Sequence, residues 1–198
     1  MNKQSVLYTV VFTFLVSFVF VTLLAFSNEA TREQVELNNQ LARSRAVLNA
    51  LGIEFASESE LLSRFEDLAY DEDSGLFTTE ADGQTLHAFE FSGSGLWGPI
   101  RGVIAVTANL EKIVGLEIVE HNETPGLGGR IEESGYKQQF RGLIIPDDKT
   151  FTLNPAGDSD KDSGQVDSVT GATRTSEAMA GIINTEIRRL SELLGGQS

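Results

Sequence analysis

Cysteine is absent from all 198 residues. Disulfides, iron–sulfur clusters and thiolate metal sites are therefore excluded, and cysteine usage says nothing about compartment. Histidine is scarce too. His87 and His121 are the only two, too few for a histidine-rich metal centre. Basic residues are outnumbered, 15 Lys and Arg against 29 Asp and Glu, giving a formal net charge of -14. That balance argues against nucleic acid or anionic lipid surfaces as partners of the soluble part. There is one tryptophan, Trp97, and no internal repeat. The length fits a single domain with a real hydrophobic core.

Charge is missing altogether from Ser5 to Phe26, a run of apolar residues rich in Val and Phe. As a helix this run extends about 33 Å, enough to cross a ~30 Å hydrocarbon core. Lipid demands internally paired backbone, so helix prevails over the low helix propensity of Val and Phe. The run exceeds the apolar core of about 7–15 residues usual in a signal peptide. It therefore reads as an anchor, with cleavage near Ala25-Phe26-Ser27 as the alternative. Lys3 lies before it and Arg32, Arg43 and Arg45 after it, so the positive charges do not decide orientation.

Four regions follow from the patterning: a tail over 1–4, a transmembrane helix over 5–26, a helical connecting region over 27–80, and a domain over 81–198. In the connector, Leu37, Leu41, Leu48 and Leu51 form one stripe of a helix from Asn28 to Leu51, with Gly52 as its stop. Ser57 and Glu60 form a capping box for a second helix carrying Leu61, Phe65 and Leu68. From Leu86 the period changes. Leu86–Phe91, Arg101–Thr107 and Ile113–Glu120 read as strands of an antiparallel sheet, the last two joined at hairpin length. A short helix over Ser134–Phe140, a strand over Thr150–Leu153 and a polar loop over Pro155–Gln165 come next. An amphipathic helix from Ser176 to Leu194 closes the chain, with Met179, Ile182, Ile183, Ile187, Leu190 and Leu194 on one face and Ser176 as its cap. The fold class is α+β, an antiparallel sheet with packed helices behind one transmembrane helix.

The most specific stretch is Asp167-Ser168-Val169-Thr170-Gly171-Ala172-Thr173. Its pattern is Asp, two variable positions, Ser or Thr, then Gly-Ala-Thr. Five fixed positions arise by chance in roughly one chain of this length in several thousand. The run suits covalent attachment of a flavin phosphate to a threonine hydroxyl. Threonine is a weak nucleophile and needs an enzyme to use it, and Gly171 and Ala172 leave Thr173 open to one. A helix start beside it favours an anionic phosphodiester. An ordinary loop-to-helix junction is the bland alternative.

Two glycine-rich turns add context. Glu120-His121-Asn122-Glu123-Thr124-Pro125-Gly126-Leu127-Gly128-Gly129 follows a strand, with Pro125-Gly126 as a turn signal. Ser92-Gly93-Ser94-Gly95-Leu96-Trp97-Gly98-Pro99 places the tryptophan between strands, where an indole can stack on a flat ring. Taken alone, each is a commonplace turn.

Gly95-Leu96-Trp97-Gly98, Glu123 to Gly129 and Thr170-Gly171-Ala172-Thr173 occur in this order in periplasmic FMN-binding domains, which the chain resembles over nearly its whole length. More narrowly, it resembles the C subunit of sodium-translocating NADH:quinone oxidoreductases, through the single span, the Asn39 to Gly52 helix and the Gly-Leu-Trp turn. The related G subunit of Rnf-type ferredoxin:NAD oxidoreductases shares the segment from Glu120 and the flavin motif, and Glu120-His121 leans that way.

The resemblance implies FMN joined through its phosphate to Thr173 by a separate flavin transferase that uses FAD and magnesium. Leu96 and Trp97, with Glu123, Thr124, Gly126, Leu127 and Gly128, would line the isoalloxazine. Thr170, Gly171 and Ala172 would surround the phosphate, and Asp167 would order the turn. Thr175 is the fallback acceptor, outside the pattern. The chain would relay single electrons as part of a membrane-bound NADH:quinone reductase without an NADH or quinone site of its own. The other membrane subunits would be its partners, with its soluble domain on the periplasmic side of a bacterial inner membrane. A stand-alone exported flavoprotein reductase and a non-redox binding module are the alternatives.

Overall fold

The computed structural model describes residues 6–81, 83–155 and 157–195. The expected tail over 1–4, and Ser5 of the apolar run, lie outside them. Helix α1 runs from Val6 to Leu51 without a break. The expectation of a separate helix from Asn28 is corrected: no glycine or proline occurs between residues 6 and 51, so nothing stops the helix that the apolar run begins. By length and composition α1 is able to cross a membrane. The chain divides between Leu41 and Ala42 into two compact units, and burial follows that division. Leu37 is exposed and Leu41 partly buried, while Ser44, Ala46, Val47, Leu48, Ala50 and Leu51 are buried.

In the second unit, α2 (Glu58–Glu66) starts at Ser57, whose hydroxyl accepts the Glu60 N–H at 3.2 Å. The Glu60 carboxylate reaches back to the Ala56 N–H at 2.9 Å, one residue before the cap. That N–H, with Arg64 second, holds the Glu60 carboxyl below its ordinary pKa.

A five-stranded antiparallel sheet follows in simple order: β1 (Ala69–Asp71), β2 (Leu76–Ala81), β3 (Gln84–Ser94), β4 (Pro99–Thr107) and β5 (Ile113–Glu120). β3, β4 and β5 match the sequence reading closely. β1 and β2 correct it, because they fall in the stretch read as helical connector. The short β1 is exposed throughout, so it carries no hydrophobic period. An acidic turn joins the two strands, in which the Asp71 carboxylate accepts the Ser74 hydroxyl and the Asp73 N–H. Both bonds lower the Asp71 carboxyl, the hydroxyl more than the N–H.

Both faces of the sheet are covered, so alternate residues of one strand enter two different cores. Leu86, Ala88, Val103 and Ala105 meet Ala46, Val47, Ala50 and Leu51. Gly115 lets the α1 backbone rest on β5, since a Cβ there would stand 2.4 Å from the Ala50 carbonyl oxygen. On the other face, Phe89, Phe91, Ile100, Ile104, Ile113 and Leu116 pack against Phe140 of α3 (Ser134–Phe140) and the apolar face of α4 (Thr173–Gly195). Of that face, Met179, Ile183, Ile187 and Leu190 are buried and Ile182 and Leu194 pack at its margin. A two-stranded parallel ladder of β6 (Thr152–Asn154) and β7 (Gln165–Asp167) completes the unit. The polar loop expected over Pro155–Gln165 ends in β7, a strand too short to show in sequence.

One histidine of the sheet sets a pH response. His87 on β3 lies opposite Thr78 on β2, with Nδ1 and the hydroxyl 2.9 Å apart. Burial pushes its pKa down, and the Glu80 charge opposes that shift. A depressed folded pKa means that the unfolded chain takes up the proton first as pH falls. The contribution of His87 is full above its unfolded value of about 6.5 and is lost as pH drops through the lower folded value. Thermal melts between pH 8 and pH 5 are expected to show falling stability on the acid side, and His87→Gln is expected to flatten that part of the slope.

Candidate functional site

Three loops of the second unit meet at the N-terminal end of α4. The first is the β3–β4 turn, closed by the Gly95 N–H on the Gly98 carbonyl at 2.8 Å. The second leaves β5 and makes a turn over Thr124–Leu127, closed by the Leu127 N–H on the Thr124 carbonyl at 3.1 Å. Pro125 and Gly126 occupy its centre, and Gly126 has φ +73, the third-position requirement of a type II turn. The third is Val169–Ala172, closed at 2.9 Å, again with a positive-φ glycine, Gly171 at +80. Both turns demand glycine where the sequence has it.

Glu123 joins the loops. It is buried, and its Oε1 accepts the Leu96 N–H at 2.7 Å and the Trp97 N–H at 3.1 Å. Its Oε2 accepts the Thr175 hydroxyl at 2.6 Å. One carboxylate thus holds the tryptophan turn and the first turn of α4 together. Two glycines make room for it: a Cβ at Gly95 would stand 2.4 Å from Oε1, and one at Gly128 would meet the Thr175 hydroxyl at 2.5 Å and Oε2 at 2.7 Å. The resemblance puts Glu123 against the isoalloxazine. In the structure its oxygens are occupied by protein donors, and it shapes the loops.

The two threonines near the α4 start differ sharply. Thr173 is the first residue of the helix and is exposed. Thr175, two residues on and so on another side of the helix, is 1% exposed and engaged with Glu123. Of these two, Thr173 is the one that offers its hydroxyl to an incoming reagent. The expectation that Ser176 caps this helix is corrected. α4 begins three residues earlier, and Ser176 is buried inside it, accepting the Val169 N–H at 2.9 Å and donating to the Ala172 carbonyl at 3.1 Å. The first backbone bond of the helix runs from the Ser176 N–H to that same carbonyl, at 3.0 Å. The N–H groups of Thr173, Arg174 and Thr175 precede it and form the usual donor set of a helix start. No acidic residue lies in this first turn, so an anion there meets favourable partial charge.

The other expected residues take distinct places. Leu96, Trp97 and Leu127 are large, apolar and exposed, Trp97 at 69%. A Cβ at Gly171 would touch Leu127 Cδ2 at 3.4 Å, so the Leu127 side chain lies over the Val169–Ala172 turn. Thr124, Gly126 and Thr170 are exposed, whereas the Ala172 side chain is buried in the main core. Asp167 turns away from this group: its carboxylate accepts the Ser159 N–H at 3.0 Å, and its backbone N–H donates to Gln139 at 2.6 Å. A cleft of about 180 Å³ lies beside the turn, lined among others by Arg130, Gln139, Ser168 and Thr170. A larger groove of about 460 Å³, lined by Asn49, Glu54, Glu117 and Arg141 among others, involves none of the three loops.

These residues fit FMN. An exposed indole and two leucines supply a surface for a flat ring, the helix start suits its phosphate, and an unengaged hydroxyl stands at the same helix start. Sequence reasoning missed the paired role of Glu123 and Thr175, which lie 52 positions apart. The glycines at 95 and 128 were its trace, since a buried carboxylate must have neighbours that leave it space.

Comparison with known proteins agrees with this geometry. Residues 95–187 match the family model described as the FMN-binding domain. The chain is 30% identical over 140 residues to the C subunit of the Na(+)-translocating NADH-quinone reductase of Pseudomonas aeruginosa, covering 64% of this chain and 52% of that protein. It is 34% identical over 105 residues to the corresponding protein from Chlamydia pneumoniae, covering 44% and 33%. It is also 35% identical over 123 residues to the G subunit of the ion-translocating oxidoreductase complex of Cereibacter sphaeroides, covering 59% and 53%. The chain thus spans between a third and about half of these relatives. The crystal structure of the NADH-quinone reductase C subunit from Parabacteroides distasonis superposes with a TM-score of 0.68 at 22% identity, over 82% of this chain and 96% of that one. That likeness shows the fold.

Proposed function

We propose that this chain, whose residues 95–187 match the FMN-binding domain and which resembles the C subunit of sodium-translocating NADH:quinone reductases, is a membrane-anchored electron carrier holding FMN on Thr173. One observation carries the reading. The first residue of α4 is an exposed threonine, two residues before Thr175, whose partner Glu123 also holds the turn of the exposed Leu96 and Trp97. In attachment, a flavin transferase joins the Thr173 oxygen to the FMN phosphorus of FAD. The pyrophosphate bond breaks, AMP leaves and the hydroxyl proton is lost. FMN, when bound, supplies the one-electron redox chemistry. The protein residues do the rest: Trp97, Leu96 and Leu127 seat the ring, and the helix start faces the phosphate. Glu123 fixes the loops that present both.

The apolar part of α1 supports anchoring, and the helix continues unbroken past Ala25-Phe26-Ser27. The domain then lies on the periplasmic side, and the remaining membrane subunits are its electron partners. The G subunit of an Rnf-type complex is the second reading, favoured by Glu120-His121 and by the similarity to the Cereibacter protein. The genes adjacent to this one distinguish the two complexes. Turnover by the purified, flavinylated domain with a soluble donor would favour a stand-alone reductase instead.

Co-expression with a flavin transferase tests the attachment. Denatured protein on a gel is expected to fluoresce as flavin only when the transferase is present. A dark band beside a fluorescent control substrate would contradict the proposal.

A further inference from the structure

His121 stands two residues before Glu123, and its ring is wedged into the loop. Nδ1 accepts the Glu123 N–H at 3.1 Å, Nε2 lies 3.4 Å from a Glu132 carboxylate oxygen, and Cε1 would stand 3.3 Å from a Cβ at Gly129. An imidazole that accepts at Nδ1 carries its proton at Nε2, on the side of the Glu132 carboxylate, and is neutral. A second proton has one place to go. At Nδ1 it turns an acceptor facing an N–H into a donor facing a donor.

The affected N–H belongs to the residue whose carboxylate holds Leu96, Trp97 and Thr175, so the change is delivered to the tryptophan turn. From the 3-10 helix Gly128–Glu132, Glu132 faces Nε2 and favours the charged ring, while Arg130 is paired with Glu133. At the end of β5, Glu120 is paired with Arg101 of β4. The Glu123 carboxylate is committed to its three donors.

We propose that His121 is a positioning residue that makes the flavin-site loops respond to pH. When neutral, it holds the Glu123 main chain and, through it, the Trp97 turn. When protonated, it releases both. Histidine is the side chain whose charge ordinarily changes between pH 5 and 8, which is the range a test must span. The inference rests on reading these loops as the flavin site, but its test does not need the flavin.

Trp97 is the only tryptophan, so its emission reports this turn alone. The full chain, produced without a flavin transferase and held in detergent, is titrated from pH 8 to pH 5 while far-UV circular dichroism monitors folding. The expected result is one reversible shift in Trp97 emission with the fold unchanged. His121→Asn keeps an acceptor oxygen near the Nδ1 position and cannot titrate, so its emission should stay at the pH 8 value throughout. His121→Gln extends its amide toward the Nε2 position and should show the acid-form emission at every pH. Glu132→Gln, which leaves the ring untouched, should move the shift to lower pH. A flat wild-type titration, a His121→Asn variant that still shifts, or a Glu132→Gln variant that shifts at the wild-type pH would each overturn the proposal. None of these outcomes bears on attachment at Thr173, and loss of attachment would leave this titration unchanged.

Discussion

Replacing Thr173 by alanine is expected to abolish covalent flavin and leave the fold intact. The residue is exposed at the start of α4, and its hydroxyl makes no hydrogen bond among the described residues. Surface substitutions of that kind change stability by no more than about 0.5 kcal/mol. Thr175→Ala is expected to do the reverse. It removes the hydroxyl that satisfies Glu123 Oε2 at 2.6 Å inside the protein, at a cost of about 1–3 kcal/mol, while the flavin stays attached. In-gel flavin fluorescence and thermal melting of the two variants separate these roles. Two threonines two residues apart should thus exchange effects, one losing cofactor and the other losing stability. A fluorescent Thr173→Ala band would transfer the acceptor role elsewhere.

The second large effect is expected at Glu123. Alanine there leaves the Leu96 N–H, the Trp97 N–H and the Thr175 hydroxyl without their shared acceptor and opens a void between Gly95 and Gly128. Hydrogen bonds to a charged group are worth about 1.5–3 kcal/mol each, and they are not additive within one network. Water reaches the exposed turn more easily than it reaches Thr175, so the expected loss is on the order of 3 kcal/mol. Glu123→Gln should cost less, because its amide oxygen accepts both N–H groups and its NH2 turns to the Thr175 oxygen. Denaturant melts give the stabilities. Flavin loading at matched folded concentration should fall with Glu123→Ala and recover substantially with Glu123→Gln. Equal loading in all three proteins would mean that the loops hold their form without the carboxylate.

Much of this site is written in local sequence. Pro125-Gly126 predicts its turn, because proline presets one dihedral and glycine supplies the other. Thr173 stands out through the pattern around it. The strands from Leu86 onward show their β-branched and aromatic residues, and Ser134–Phe140 coincides with α3. What stays hidden depends on residues far apart in the chain. The resemblance sets Glu123 among residues lining the ring, and no local signal shows that its protein donors are 26, 27 and 52 positions away. Ser176 reads as a cap because a serine before an apolar helical face is the usual signature, yet the tight turn at Gly171 lets the helix begin earlier. β1 and β7 are three-residue strands stabilised by their neighbours, and so short a segment carries no period of its own. The continuous α1 is legible only by noticing that no residue in it stops a helix.

The central claim is that the exposed hydroxyl at the first residue of α4 carries the cofactor. Proteolysis of the chain produced with a flavin transferase, followed by mass spectrometry of the flavin-bearing peptide, tests it directly. The expected product is a single modified peptide whose added mass, that of FMN less one water, maps to Thr173. Flavin mapped to Thr175, Thr170 or any residue outside the Asp167–Thr173 motif would contradict the account.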